Sequence, residues 1–286
     1  MLNILRRVLK KNKETYLITS IEDLSHVKDC FKSENIFCID TEFDWRTTYF
    51  PKLSTLQLGF SKKIFIFDCL SFNPSNFLKR YMEDSSHLKI LHSVRSDATV
   101  IKNCLGLKIN NVFDIQIAEK EISEEGIKNY ASIVGDYFSV NLDKDQTNSN
   151  WLKRPLTSEQ LKYAFDDVDF LIEIYLVQRK ILSKKNILNK IFHLSQEEAE
   201  IGNEDLKITR FNKRKNKMKK KEKEVFLWRE NLAIKRNVPP NYIIKENKIS
   251  YLCKLSPNDK DLKKKVIKIT GDSYLSDEFI EKFYSK

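Results

Sequence analysis

The residues best suited to chemistry are two carboxylates at the end of one apolar stretch. Asp40 and Glu42 stand two positions apart in Phe37–Phe43, which is predicted to be a strand. Because strand side chains alternate between faces, both carboxylates share the face that carries Ile36 and Cys38. Burying two carboxylates side by side is costly unless a positive charge neutralises them. The pair therefore indicates either a divalent-cation site or an edge strand with a solvated acidic end.

Two later acidic positions bear on this choice. Asp97 comes shortly after the apolar stretch Leu88–Leu91, near the start of a helix, where a carboxylate can also serve the helix dipole alone. Asp167 follows Tyr163 by four residues in a helical pattern, so both side chains lie on one helix face. Asp166 is the main alternative to Asp167. Taken singly, each position has an ordinary structural explanation.

The elements around these residues predict an α/β fold. Strands come first, then strand–helix alternation, then helices, which is typical of a mixed sheet flanked by helices. Three successive strands after the first helix indicate an antiparallel start to the sheet. Strands are predicted at about Thr15–Thr19, Phe37–Phe43, Leu53–Phe60, Lys63–Phe67 and Leu88–Leu91, and helices at about Ser20–Phe31, Ser96–Gly106, Val112–Val134 and Thr157–Leu182.

The charge is distributed unevenly along the 286 residues. Residues 201–286 hold 23 Lys and Arg against 12 Asp and Glu, whereas residues 1–200 hold 28 of each sign. The whole excess of +11 therefore lies in the C-terminal third. Such asymmetry predicts a polyanion-binding region beside a neutral body. A merely solubilising tail is the alternative, but this region also has the apolar periodicity of a small all-helical domain.

Bulk features exclude several classes of protein. No apolar run approaches the ~20 residues that a membrane-spanning helix needs. Residues 1–13 are basic and briefly amphipathic, and they lack the features of a secretory signal. The five cysteines are odd in number and scattered, which favours free thiols in a reducing compartment over disulfides or zinc. We therefore expect a cytoplasmic protein with no membrane partner.

The acidic positions and their neighbours resemble a known family. Asp40-Thr41-Glu42, Asp97 and Tyr163-x-x-x-Asp167 match, in order and spacing, the three exonuclease motifs of the tyrosine-bearing branch of the DEDD superfamily. Within that branch the sequence is similar to the ribonuclease D family from about Tyr16 to Gln178. The connecting stretches that carry the likeness are Tyr49-Phe50-Pro51, Leu56-Gln57-Leu58, Leu91-His92-Ser93, Val112–Ala118, and Trp151 with Arg154-Pro155-Leu156.

The resemblance implies a ribonuclease H-like exonuclease fold and a 3′-to-5′ exonuclease that uses two Mg²⁺ or Mn²⁺ ions. By similarity, Asp40 bridges both ions, Glu42 and Asp167 complete the first site, and Asp97 supports the second. Tyr163 would orient the attacking water. Carboxylate-only ligands favour such hard cations over zinc.

The resemblance also implies a substrate. The expected activity is trimming of the 3′ ends of structured RNA, with tRNA precursors as the leading substrate and nucleoside 5′-monophosphates as products. Lys144 and Arg154 are candidate phosphate contacts, and a monomer is expected. A DNA exonuclease of the same superfamily is the second interpretation. A catalytically silent RNA-binding scaffold is the third, although a scaffold would not need all five catalytic positions.

The C-terminal region resembles the start of the helical HRDC domain that follows the nuclease in ribonuclease D. The likeness lies in Trp228-Arg229-Glu230, Asn237–Pro240 and Ile244–Asn247, and it fades after Pro257. Asn150 departs from the family pattern, which often has an acidic residue there. The predicted organisation is an extension at 1–13, an exonuclease domain at 14–190, a basic linker or helix at 191–221 and an HRDC-like domain at 222–286.

Overall fold

The structure, a computed structural model, describes residues 13–124 and 126–284. The predicted extension at 1–13 therefore lies outside the described residues except for Lys13. By its packing the chain divides into two compact units. The first comprises the described residues up to Asp44 together with Pro51–Glu204, and the second comprises Trp45–Phe50 together with the described residues from Asp205 onward. The prediction ended the first domain at 190, whereas this compact unit extends to Glu204.

Six strands of the first unit form one mixed sheet in the order β1-β4-β3-β2-β5-β6. The strands β2, β3 and β4 are antiparallel neighbours, as the sequence predicted, and the pairs β1–β4, β2–β5 and β5–β6 are parallel. The strands are β1 Glu14–Ile18, β2 Ile36–Asp44, β3 Lys52–Gly59, β4 Lys63–Asp68, β5 Leu88–Leu91 and β6 Val112–Asp114.

Eight α-helices of the first unit cover the two faces of the sheet within the described residues. They are α1 Ser25–Ser33, α2 Ser75–Glu83, α3 Val94–Leu105, α4 Ile115–Ser123, α5 Tyr130–Phe138, α6 Ser158–Asp169, α7 Leu171–Lys184 and α8 Leu188–Asn203. Side chains of α1, α2 and α3 share one apolar cluster with one face, and side chains of α4 to α7 share a second cluster with the other face. The predicted α/β fold, a mixed sheet flanked by helices, is confirmed.

The strand β2 lies in the middle of this sheet, between β3 and β5. Phe37 and Ile39 point into the first cluster and Cys38 into the second, as strand alternation requires. The pairing of β2 with β3 shifts register between Glu42 and Phe43. A bulge of this kind bends a strand locally and re-aims its side chains. The interior position rules out the edge-strand explanation of its acidic end.

The prediction of one helix over Val112–Val134 was wrong. Residues 112–114 form β6, which pairs in parallel with β5, and two helices follow. Three residues are too few to display a strand period, so the helical spacing of the following residues dominated the pattern. Gly135, which directly follows the predicted helix, lies inside α5.

The start of α3 also differs from the prediction. Ser96 lies within the helix, which begins at Val94 after Ser93 in a left-handed conformation (φ 65°). The N–H groups of Ser93 and Val94 donate to the carboxylate of Asp114 at 3.0 and 2.8 Å. The start of α3 is therefore capped by a side chain that is distant in sequence. The C-terminal stop at Gly106 (φ 73°) is confirmed.

The second unit is helical. It contains α9 Leu206–Asn212, α10 Lys220–Arg236, α11 Pro240–Ile243, α12 Ile249–Cys253, α13 Leu262–Thr270 and α14 Ser273–Tyr284. Its core surrounds the buried Phe226, Trp228 and Phe279, and it includes Tyr49, which is 3% exposed. Nowhere in 13–124 or 126–284 is a helix both long and apolar enough to cross a bilayer.

Candidate active site

Three carboxylates meet at the end of β2. Asp40 and Glu42 come from the strand, and Asp167 comes from α6, which packs across β2, β3 and β4. One oxygen from each carboxylate lies within 4.8 Å of the other two. Asp166, the alternative position, is instead an ion-pair partner of Lys162. The structure thus places Asp167, and not its neighbour Asp166, beside the two carboxylates of β2.

Asp97 approaches the same strand from α3. It is 5% exposed, and its Oδ1 accepts a 2.6 Å hydrogen bond from the Thr41 hydroxyl. Thr41 lies between Asp40 and Glu42, so its side chain leaves the strand on the opposite face. Thr41, the central residue of the Asp-Thr-Glu motif, therefore connects Asp97 to β2 by a hydrogen bond.

Burial and mutual repulsion make these carboxylates unusually basic. Burial raises the pKa of Asp40 well above its ordinary value, and the neighbouring carboxylates raise it further. Burial, then Asp167 and Asp97, raise the pKa of Glu42 to about 9. Burial also raises the pKa of Asp97 and of Asp167 to about 7. A bound cation would relieve this repulsion.

The donor set fits a hard divalent cation. Its ligand atoms are carboxylate oxygens, which Mg²⁺ and Mn²⁺ prefer and which zinc sites use less than nitrogen or sulfur. The free cysteines of the chain lie elsewhere: Cys30 and Cys38 are buried, and Cys69, Cys104 and Cys253 are partly buried. Asp40, Glu42 and Asp167 are the residues that would hold such an ion.

Tyr163 lies one helical turn before Asp167 on α6. Burial and the nearby Asp167 raise the pKa of its phenol. The hydroxyl is therefore protonated at neutral pH and can donate a hydrogen bond. It lies 3.1 Å from the Thr147 hydroxyl, and the Tyr163 ring packs at a centroid distance of 5.9 Å from Trp151.

Two local features fix the position of α6. Its first turn is closed by a capping box, in which the Thr157 side chain accepts from the N–H of Gln160 at 3.2 Å and the Gln160 side chain accepts from the N–H of Thr157 at 3.1 Å. At its other end, Val168 lies against Gly59 of β3. A Cβ at Gly59 would lie 3.3 Å from both the Cβ and the carbonyl oxygen of Val168, so glycine allows this close approach.

Arg154, a candidate phosphate contact, has an internal role instead. Its guanidinium binds both carboxylate oxygens of Asp68 at 2.6 and 2.8 Å. It also donates to the carbonyls of Trp151, Lys153 and Ser54 and to the Ser54 hydroxyl. Every nitrogen of the guanidinium therefore donates to an internal partner, so Arg154 has no N–H group left for a substrate phosphate.

Lys144, the other candidate contact, is exposed in the loop beside Tyr163. Its ammonium donates to the Asn129 side chain at 3.0 Å, and its carbonyl accepts from the Thr147 hydroxyl at 2.9 Å. An exposed cation in this loop is compatible with the predicted phosphate contact, which stays a prediction.

Sequence reasoning missed the polar residues that support the site. Thr41 was visible inside the motif, and Thr147 lies in a polar loop without a recognisable pattern. Gln57 and Thr55 pair directly with Asp40 and Glu42 across β2 and β3, and both are fully buried. Paired residues share a face, so alternation in β3 could have indicated these polar neighbours.

Comparison with known proteins gives a consistent result. Residues 16–183 match the family model described as 3′-5′ exonuclease. A ribonuclease D of Desulfotalea psychrophila is 30% identical over 258 residues, covering 86% of this chain and 68% of the relative. A ribonuclease D of Pseudomonas paraeruginosa is 28% identical over 251 residues, covering 84% and 66%. The chain therefore spans about two thirds of the length of these relatives.

Solved structures share the fold. The crystal structure of Escherichia coli RNase D, described as an exoribonuclease involved in structured RNA processing, matches with a TM-score of 0.79. Sequence identity is 22%, and the match covers 93% of this chain and 75% of that one. Trypanosoma brucei RNase D in complex with RNA matches with a TM-score of 0.60 at 18% identity, covering 71% and 74%.

Proposed function

The chain belongs to the ribonuclease D family of 3′-5′ exonucleases and is an exoribonuclease of the DEDD superfamily, and on this premise we propose that it trims the 3′ ends of structured RNA, above all tRNA precursors. The products would be nucleoside 5′-monophosphates. The observation that carries the proposal is the convergence of Asp40, Glu42 and Asp167 within 4.8 Å, with Asp97 and Tyr163 beside them.

The proposed mechanism uses two Mg²⁺ or Mn²⁺ ions. When bound, such ions would supply activation of the attacking water and stabilisation of the leaving oxygen in an in-line displacement. Asp40 would contact both ions, Glu42 and Asp167 the first, and Asp97 the second. The protonated Tyr163 hydroxyl would orient the attacking water, because a phenol with a raised pKa is a poor general base at neutral pH. Lys144 would contact the phosphate chain.

The helical second unit would bind the body of the RNA as an HRDC-like domain. All of the net charge of +11 lies in residues 201–286, and neutralising phosphates with Lys and Arg releases counterions from the RNA. Affinity for structured RNA should therefore fall steeply with salt. The proposal extends to a monomer in the cytoplasm, where its free thiols would stay reduced.

The test is an exonuclease assay with the full-length protein. Purified protein with Mg²⁺ or Mn²⁺ is offered 3′-extended tRNA, single-stranded RNA and single-stranded DNA, and Asp40→Asn serves as the control. We expect stepwise release of 5′-monophosphates from RNA and loss of activity in the variant. Equal digestion by the variant would overturn the mechanism, and preference for DNA would overturn the proposed substrate.

A further inference from the structure

The helix that carries Asp167 is interrupted three residues later, at Phe170. The sequence predicted one helix from Thr157 to about Leu182, whereas α6 ends at Asp169 and α7 begins at Leu171. In an unbroken helix the N–H of Phe170 would donate to the carbonyl of Asp166, four residues earlier. Side chains that insert into this ladder are a recognised cause of helix kinks.

The inserted group is the hydroxyl of Tyr130. It accepts a 3.2 Å hydrogen bond from the N–H of Phe170 and donates one of 3.2 Å to the carbonyl of Asp166. The hydroxyl thus stands between the two groups that a continuous helix would join directly. Asp167 lies inside the bridged segment, one residue after Asp166.

Tyr130 is itself held firmly. It is the first residue of α5, whose start is capped by Asn129 accepting from the N–H of Ser132 at 2.9 Å. The Tyr130 side chain belongs to the second apolar cluster, and the residue is 9% exposed. Its ring centroid lies 5.9 Å from that of His92. The hydroxyl therefore projects from a fixed part of the first unit.

A second buried side chain, that of Lys13, binds the backbone at the break between α6 and α7. The ammonium of Lys13 donates to the carbonyl of Asp169 and lies 3.2 Å from the Asp169 carboxylate and 3.4 Å from that of Glu173. Lys13 is 8% exposed. Partners from two distant parts of the sequence thus satisfy backbone groups at this junction.

We propose that Tyr130 is a positioning residue for Asp167. Its hydroxyl separates the N–H of Phe170 from the carbonyl of Asp166 and so fixes the direction in which the last turn of α6 presents the Asp167 carboxylate. Closing the ordinary helical hydrogen bond would shift that turn, and metal coordination tolerates only small changes in ligand position. The inference rests on the proposed function, because the Asp40, Glu42 and Asp167 cage is its metal site.

The experiment compares Tyr130→Phe with Tyr137→Phe in the full-length protein. Tyr137 also lies on α5, and its hydroxyl donates to Glu119 at 2.8 Å, away from α6. Each variant therefore removes one hydrogen-bonded hydroxyl from the same helix. Mn²⁺ binding is measured by calorimetry, and the rate on a short single-stranded RNA is measured against Mg²⁺ concentration. Thermal unfolding reports whether each variant is folded.

For Tyr130→Phe we expect Mn²⁺ affinity and kcat to fall by about ten- to a hundredfold, with KM for RNA nearly unchanged and partial recovery at high Mg²⁺. Tyr137→Phe should bind Mn²⁺ as the wild type does. Equal Mn²⁺ affinity in both variants and the wild type would overturn the inference. A wild type that binds Mn²⁺ without digesting RNA would overturn the proposed function instead, while the calorimetry would still decide the role of Tyr130.

Discussion

At the scale of single residues, the carboxylates at the end of β2 oppose folding when no cation neutralises them. Glu42 has a folded pKa of about 9, and Asp97 and Asp167 have folded pKa values of about 7, all raised first of all by burial. In the unfolded chain such groups titrate near pH ~4. Between these limits the folded chain binds more protons than the unfolded chain, so its stability falls as pH rises.

This linkage predicts a pH-dependent effect of metal. Because Mg²⁺ replaces the protons that the cage would otherwise hold, Mg²⁺ should raise the melting temperature more at pH 8 than at pH 6. Asp40→Asn should melt at a higher temperature than the wild type in chelator at pH 8, because one repelling charge is gone. Differential scanning calorimetry measures both effects. A Mg²⁺-induced shift of the same size at both pH values would contradict the linkage.

The sequence predicted the residues of the acidic cluster but not the residues that orient them. Asp40 and Glu42 could be predicted from residue type and short spacing, and Asp167 from the resemblance to a family motif. The hydrogen bond between Thr147 and Tyr163 joins residues 16 positions apart in sequence, and the one between Tyr130 and Asp166 joins residues 36 positions apart. Such contacts depend on how loops and helices pack, which no local pattern encodes.

At the scale of elements, the packing of α8 against α3 depends on Gly202. A Cβ at this glycine would lie 2.6 Å from the Cβ of Ala98 and 2.7 Å from the carbonyl oxygen of Arg95, both on α3. Those distances are shorter than any normal contact, so the helices touch through the bare backbone of α8. Asp97 lies between Arg95 and Ala98, so this contact also supports the part of α3 that carries Asp97.

We therefore expect Gly202→Ala to destabilise the protein by about 1–3 kcal/mol, since the added methyl group must push the helices apart. Gly135→Ala is the matched control. Gly135 lies inside α5, its nearest contact for a Cβ is 3.7 Å away, and alanine there should stabilise by about 0.5–1 kcal/mol. Urea unfolding measures both changes. A Gly202→Ala variant as stable as the wild type would show that α3 and α8 can separate at little cost.

Element type was predictable for most strands, but the long helical patterns Val112–Val134 and Thr157–Leu182 each cover more than one element. The antiparallel start of the sheet and the capping box of α6 follow from local residue patterns. The strand β6 and the start of α3 could not be predicted, because β6 exists through its pairing with β5 and α3 is capped by Asp114. Both features depend on tertiary partners that no local pattern encodes.

At the scale of the whole molecule, the second unit is discontinuous in sequence. Trp45–Phe50, the connection between β2 and β3, belongs to it. The Tyr49 hydroxyl donates to the buried Glu230 carboxylate at 2.9 Å. The Asn237 side-chain oxygen accepts from the N–H groups of Tyr49 and Phe50 at 3.1 and 3.2 Å. The basic C-terminal region therefore packs together with the connection between β2 and β3.

Glu230 is the centre of a buried ionic cluster in this unit. Its carboxylate binds Arg229 at 3.0 Å and Arg210 at 2.9 Å as well as Tyr49. Glu230 and Arg229 are both fully buried. Removing one partner of such a pair leaves an uncompensated charge, which makes Asn237 a milder point at which to test the connection.

Two substitutions at Asn237 test what its side chain does. The residue has a left-handed backbone (φ 47°), which glycine and aspartate also accept. Asn237→Gly removes the acceptor and should speed amide hydrogen exchange in peptides spanning residues 45–50, because two N–H groups lose their partner. Asn237→Asp keeps an acceptor oxygen and should exchange as the wild type does. If amide exchange in residues 45–50 is as slow in Asn237→Gly as in Asn237→Asp and the wild type, other contacts hold the segment.

The discontinuity of the second unit has a consequence during synthesis. Tyr49 and Glu230 are 181 residues apart, so at ~5–20 residues per second roughly ten to forty seconds pass between their translation. Through that interval Tyr49 and its neighbours have no folded partner, although the strands on both sides of them have been made. The second unit is therefore completed only after Glu230 and Asn237, the hydrogen-bond partners of this segment, have been translated.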